Sequence, residues 1–310
     1  MGGCLYMNFT WLLGLFILSH PVNMPDHLAI TNNGLPLSVN YCTDFSTNIP
    51  ELPVINTEQL NKCMDNIDKQ VAKDPKNAMI DKRGNILPEQ VGFRLHRQIF
   101  TERVYSYYFN KDTSRLELPL QTIYPKVDSE LLENIRNAKI GKYVTSFNTY
   151  NKERTNNIYL ATNAINNFVV FPGETFSFNK VVGKRTTEKG YLPATVIKRG
   201  EYSEDIGGGI CQVSSTLFNA VDNAGLNIIK RFSHSRQVSY IPPGRDATVS
   251  WDGPDFVFTN KYNQPILIQA KTVGNNLMVE VYSSDMINFN PKKVPYLPYD
   301  LHKKGSPSKN

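Results

Sequence analysis

The spacing of apolar residues changes character twice along this chain. From residue 57, Leu60, Met64, Ile67 and Val71 recur on one face at helical spacing behind a hydroxyl N-cap at Thr57, and Cys63 lies on the same stripe, where core packing is the expected role for its thiol. A short apolar stretch at 78–80 leads into the turn residues Asp81, Arg83, Gly84 and Asn85. The segment 97–108 then predicts a second helix with Ile99 and Val104 inward, and Leu116, Leu118 and Leu120 alternate as a half-buried strand. These elements make a small helix and strand module over residues 56–127. Ile158, Ala161, Ile165 and Phe168 open a second unit, residues 140–283, on one helical face. A turn at Pro172 and Gly173, a strand carrying Phe176 and Phe178, and another strand over 194–197 follow. Gly207, Gly208 and Gly209 precede a strong helix buried through Leu217, Phe218, Val221 and Ala224 and stopped by Gly225. Beyond it the period is two, with strands predicted at 228–232, 238–241, 247–251, 256–259, 266–270 and 277–282 and turn residues between them. One buried helix followed by an antiparallel sheet is an α+β pattern.

The ends of the chain differ in kind from these units. Residues 9–18 are apolar, about the length of a signal-peptide core and short of the roughly 17 residues a spanning helix needs, so residues 1–20 read as an export signal or membrane anchor segment. No Lys or Arg precedes the run and no A-x-A-like site follows it. Tyr6 stands where a myristoylation signal requires Ser or Thr. Residues 21–55, rich in Asn, Pro, Thr and Ser, read as a linker, and residues 284–310 as a C-terminal tail. The expected location is therefore extracytoplasmic, with any membrane contact made through the N-terminal segment alone.

Charge narrows the partners. The 34 Lys and Arg against 28 Asp and Glu leave a formal +6, without a dense basic helix interleaved with aromatics, which argues against nucleic acid. A mildly basic surface suits anionic envelope polymers, and an ordinary solvated surface with a basic tail explains it equally well. The four cysteines are Cys4, Cys42, Cys63 and Cys211. Loss of a signal would leave three, so pairing of Cys42 with Cys63 would leave Cys211 as a free thiol.

One block of residues is specific enough to name a family. Thr145, Ser146 and Phe147, then Asn157 and Ile158, the run from Pro172 through Asn179, then Gly183, Arg185, Thr186, Gly190 and Tyr191 stand in the order of a VanW-like domain. The stretch GGGICQVSST from Gly207 to Thr216, followed by His234, Ser235, Tyr240 and the run from Pro243 to Val249, completes the resemblance across residues 140–270. Upstream, Gly84, Pro88, Glu89, Gly92 and Leu95, with the Leu118 strand and Pro125, resemble a small peptidoglycan-binding domain that often precedes such a region. The resemblance implies an exported protein of cell-wall maintenance, in a family named after an accessory member of a vancomycin-resistance cluster. Peptidoglycan or its stem peptides would be the partner, and no agreed reaction comes with it.

The residues themselves suggest chemistry. Cys211 falls at the mouth of a predicted helix, where unpaired amides and the helix dipole favour a thiolate. His234, the one histidine between residue 140 and the tail, ends the next predicted strand, and Asp246 opens a later one. Helix, Cys, His and Asp follow in the order that papain-like and transglutaminase-like enzymes use for acyl transfer, and a core of that kind is expected. His234 would take the thiol proton, Asp246 would orient the imidazole, and Gln212 with nearby amides would stabilise an oxyanion. Gly207, Gly208 and Gly209 would let substrate backbone approach, and Arg185 and Arg245 would grip a carboxylate. Each also has a bland reading: a packed thiol, a structural histidine, a turn, a salt bridge. Asp252 and Asp255 compete for the third position. Close ligand spacing for zinc is missing, no Lys with Ser or Thr follows the glycines as nucleotide binding requires, and no cofactor signature is present. A non-catalytic wall-binding scaffold is the alternative.

Overall fold

The computed structural model describes residues 28–37, 46–47, 54–110, 115–198 and 200–297, and the chain divides into two units, residues 1–74 with 92–123 and residues 75–91 with 124–310. The export segment, Cys4, Cys42 and the basic tail lie outside the described residues. No helix among the described residues is long and apolar enough to cross a membrane.

In the first unit the helix Thr57–Val71 buries Leu60, Cys63, Met64 and Ile67 against Phe100 and Val104 of the helix Arg97–Asn110. Its cap is Asn56, whose side chain accepts from the Glu58 and Gln59 amides, in place of the Thr57 that the sequence suggested. Cys63 is fully buried in this core and disulfide-bonded. The alternation of Leu116, Leu118 and Leu120 resolves into two strands separated at Leu118 and Pro119. Arg115–Glu117 runs parallel to Ala29–Asn32, and Leu120–Ile123 runs antiparallel to Gly92–Leu95. Ala29–Asn32 belongs to the stretch read as linker. It becomes a strand because Ile30 reaches the core and Thr31 is buried with its hydroxyl on Leu116 O and Glu117 Oε2.

The second unit is built on a four-stranded antiparallel sheet in the order Ala138–Ser146, Asn276–Ser283, Ile266–Val273, Phe168–Val170. One face carries two helices that also pack on each other: Ile210–Asn223, the central helix, over Ala138–Ser146 and Asn276–Ser283, and Lys152–Ile165 over Ile266–Val273. The other face, presenting Val169 and Leu267, is covered by the helix Ser129–Ile135 and the hairpin Met79–Ile80/Ile86–Leu87. The central helix approaches the sheet so closely that a Cβ at Gly141 would stand 2.4 Å from Ala220 O and 2.8 Å from Ala224 Cβ. A three-stranded sheet, Thr175–Ser177, Val257–Thr259 and Asn227–Lys230, and the hairpin Pro193–Lys198/Glu201–Ile206 complete the unit. The α+β class is as the patterning predicts.

Two of the six strands predicted after the central helix do not form. Residues 231–256 contain no strand, although Ile241, Ala247 and Val249 are buried as period-two patterning requires. Backbone groups of Arg245, Ala247 and Val249 are satisfied by side chains of the central helix. Ala247 donates its amide to Ser215 Oγ (2.8 Å) and accepts Ser214 Oγ (2.5 Å) at its carbonyl, and Arg245 O accepts Asn219 Nδ2 (2.8 Å). Ser214, Ser215 and Asn219 are fully buried, and this polar helix face holds residues 245–247 where a neighbouring strand would otherwise be needed.

Candidate functional site

Cys211 is the second residue of the central helix, which begins at Ile210 behind Gly209 in the left-handed conformation (φ 103°). It is half-buried and, among the described residues, the one free cysteine. Its sulfur receives the Val249 amide at 3.5 Å, lies 3.5 Å from Val249 O and 3.7 Å from Thr248 Oγ1, and has the His234 side chain close enough to act on its charge. His234 Nδ1 lies 2.6 Å from Asp246 Oδ2, and the same oxygen accepts the His234 amide at 2.6 Å. With Nδ1 committed to Asp246, the imidazole faces the sulfur through Nε2. The His234 and Asp246 side chains are 6% and 9% exposed, so the pair is largely shielded from water.

The charges reinforce one another. Burial pushes the Cys211 thiol up, but the hydrogen bond and charge of His234, with the Val249 amide and Thr248 hydroxyl, bring it below its ordinary value. Burial pushes His234 down, and Cys211 and Asp246 together raise it above its ordinary value. Asp246 is pulled below the usual carboxylate range by the His234 amide and ring against the effect of its own burial. Both shifts run in the direction of a thiolate–imidazolium pair.

The irregular segment explains how sequence-distant groups meet. Residue 246 lies between the two residues whose backbone the helix captures, so Ser214, Ser215 and Asn219 place Asp246 beside the His234 loop. Thr248 N donates to Phe232 O at 2.8 Å, and Arg231 Nη1 donates to the carbonyls of Gly244 (2.9 Å) and Asp246 (2.7 Å), tying the loop to the same segment. The expectation had His234 and Asp246 on strands of a sheet packed against the cysteine helix. Instead they are carried by this segment and its loop, and the structure does not confirm a papain-like core.

A cleft of about 1180 Å³ opens over Cys211, lined among others by Arg154, Arg185, His234, Tyr240, Thr248 and Trp251. Of the expected binding residues, Arg185 lines it, with Nη2 donating to Asn179 Oδ1 at 2.8 Å. Gln212 also reaches it, but its Nε2 donates to Thr145 Oγ1 (3.0 Å) and Ser146 O (2.9 Å), which uses both amide hydrogens and leaves none for an oxyanion. The Ile210 and Gln212 amides donate to Gly207 O and Gly209 O, which leaves the Cys211 amide as the helix-terminal candidate. Arg245 stands away from the cleft, donating to Asn219 Oδ1, paired with Asp222 at 2.7 Å and lying 4.6 Å over the Phe218 ring. That is a structural role. The glycines face protein as well as substrate space. A Cβ at Gly208 would stand 2.5 Å from Ala194 O, one at Gly209 2.8 Å from Arg154 Cγ, and one at Gly207 3.4 Å from Arg185 Cβ and Cγ. Asp255 accepts Ser177 Oγ and the Asn179 and Phe256 amides, Asp252 lies on the cleft lining, and it is Asp246 that holds the imidazole.

Sequence reasoning gave Arg154, Tyr240 and Thr248 no part in the site. Arg154 Nη2 donates to Gln212 Oε1 at 2.7 Å. Burial and the charge of Cys211 push the Tyr240 hydroxyl well above the phenol range, so it stays a donor, hydrogen-bonded with Ser215. Tyr240 and Thr248 stood inside the family motif, whereas nothing in the local pattern around Arg154 distinguishes it from a solvated helix residue. Among the described residues no group of three or more His, Cys, Asp and Glu is placed to hold a metal ion.

A family model described as VanW like protein matches residues 153–282. The uncharacterized protein YoaR of Bacillus subtilis (strain 168) is 50% identical over 292 residues, 94% of this chain and 96% of that protein. The vancomycin B-type resistance protein VanW of Enterococcus faecalis (strain ATCC 700802 / V583) is 32% identical over 106 residues, 33% of this chain and 38% of that protein. No solved structure matches the chain significantly.

Proposed function

Because this chain belongs to the VanW-like family, we propose that it is an exported, cell-wall-related protein that uses Cys211 for acyl transfer at amide bonds of peptidoglycan. The observation that carries the reading is the arrangement in which Asp246 holds His234 Nδ1 at 2.6 Å while His234 and Cys211 line one cleft together. A buried, disulfide-bonded Cys63 supports an oxidising, extracytoplasmic location, since such bonds rarely persist in a reducing cytosol. The wall as target is supported by the family and by the resemblance of residues 84–125 to a peptidoglycan-binding domain.

In the reaction the Cys211 thiolate adds to the amide carbonyl, and the Cys211 amide donates to the oxygen that becomes negative. The C–N bond breaks as the His234 imidazolium gives its proton to the leaving nitrogen, which departs as an amine and leaves a thioester. Water, or an acceptor amine, then attacks the thioester while His234 takes its proton. The acyl group leaves as an acid or a new amide, and the thiolate is restored. Asp246 keeps the ring in the one orientation that serves both steps.

The test is incubation of the full chain with purified sacculi, followed by mass spectrometry of the released and retained muropeptides. New amine and acid ends, or exchanged cross-bridges, are expected, and Cys211→Ser should lower their rate by about a thousandfold or more while circular dichroism stays unchanged. Binding to sacculi without any new ends, equal in wild type and Cys211→Ser, would establish the scaffold instead.

A further inference from the structure

We infer that the cleft takes an amide substrate carrying a free carboxylate beside the bond attacked, and that Arg154 and Arg185 clamp that carboxylate. The inference rests on the reading of Cys211 as nucleophile and names the class of substrate that this nucleophile meets.

Both guanidinium groups line the cleft, and both are close enough to Cys211 for the sulfur's charge to act on them. Neither has a carboxylate partner among the described residues. Arg154 spends Nη2 on the neutral Gln212 Oε1, and Arg185 spends Nη2 on the neutral Asn179 Oδ1. Arg185 Nη1 is buried with no hydrogen-bond partner at all. Asp255, the acidic residue whose field reaches Arg185, is already satisfied by Ser177 Oγ and the Asn179 and Phe256 amides. Partial burial of a guanidinium without a carboxylate partner is unfavourable, and a ligand that supplies the anion would offset it. The contrast within this unit is Arg245, which faces away from the cleft and is paired with Asp222.

Gly209 leaves room for one of the two side chains: a Cβ there would stand 2.8 Å from Arg154 Cγ, whereas a Cβ at Gly207 would press on Ile210 Cδ1 and only touch the Arg185 stem. Gln212 and Asn179 each hold one nitrogen of a fork, which orients the rest of a planar donor suited to bidentate carboxylate binding. The oxyanion of acyl transfer carries one negative charge. Two fixed cations beside a helix N-terminus exceed what it needs, and the surplus matches an anion present before the reaction begins.

The experiment compares alkylation of Cys211 by iodoacetate and by the neutral, nearly isosteric iodoacetamide. Rates in the full chain are read by peptide mass spectrometry at fixed pH and ionic strength, with glutathione as the thiol control. The iodoacetate to iodoacetamide ratio should exceed that of glutathione by at least about tenfold, and the iodoacetate rate should level off with concentration. Arg154→Gln and Arg185→Gln should each bring the ratio back toward the control. Because the ratio cancels changes in thiolate content, this readout is separate from activation of the thiol. Fast iodoacetamide labelling with a glutathione-like ratio would overturn the carboxylate clamp and leave the nucleophile standing. Slow labelling by both reagents would overturn the nucleophile and the clamp together. Protection by inorganic phosphate stronger than by N-acetylglycine would overturn the carboxylate in favour of a phosphate-bearing ligand.

Discussion

A cysteine at the second position of a helix is not reactive by position alone. Here burial acts against the thiolate, and what reverses it is a charged partner: His234, itself raised by Asp246. A thiol whose pKa is lowered in the folded chain ionises at lower pH there than in the unfolded chain, so its alkylation rate should climb with pH and level off early. We expect an iodoacetamide midpoint below the ordinary value of about 8.5. His234→Ala removes the stabilising charge and leaves the burial, so its midpoint should move above that value. Asp246→Asn should shift it upward by less, because the imidazole remains but loses its anchor. An unmoved midpoint in His234→Ala would show that the ring does not act on the sulfur. The sequence marked all three of these residues, by their types and chain order. It marked Arg245 and Gln212 for substrate as well, and both are used up within the protein, Arg245 by Asp222 and Asn219 and Gln212 by Thr145, Ser146 and Arg154. Local sequence carries a side chain's chemistry but not its partners.

At the scale of elements, the central helix does three things with three faces. Its apolar residues pack on the four-stranded sheet, its serines and Asn219 hold the irregular segment, and its first turn presents Cys211. Strand patterning was right for 266–270 and 277–282, where ladders form, and overcounted at 238–241 and 247–251. Residues 247–250 alternate in burial as a strand would. What they lack is a neighbouring strand, because helix hydroxyls and an amide take its place, and period-two patterning reports burial rather than hydrogen-bond partners. The position of the helix over the sheet depends on Gly141. Gly141→Ala would set a methyl against backbone at Ala220 O, which cannot move without shifting the helix. We expect a loss of about 1–3 kcal/mol, seen as a lower urea midpoint with unchanged slope. A midpoint equal to wild type would mean that the helix and strand separate at little cost.

For the whole molecule, the two units have separate cores, one around Phe100 and the buried Cys63, the other around the central helix. Breaking the Cys63 disulfide should destabilise the first by about 2–4 kcal/mol. Hydrogen exchange of the full chain with and without reductant should then show faster exchange in Thr57–Val71 and Arg97–Asn110 and unchanged protection in Ile210–Asn223. Equal loss of protection in all three helices would mean that the cores unfold as one. The sequence by itself determined the α+β class, most of the helices and the family, and it marked a thiol, an imidazole and several candidate carboxylates, because periodicity and residue type are local properties. Only the tertiary structure decided which acid meets the histidine, that the arginines of the cleft are 154 and 185, and that Ala29–Asn32 is a strand. Those outcomes depend on hydrogen bonds and counter-charges between residues far apart in the chain, and such pairings exist only once the backbone has closed around them.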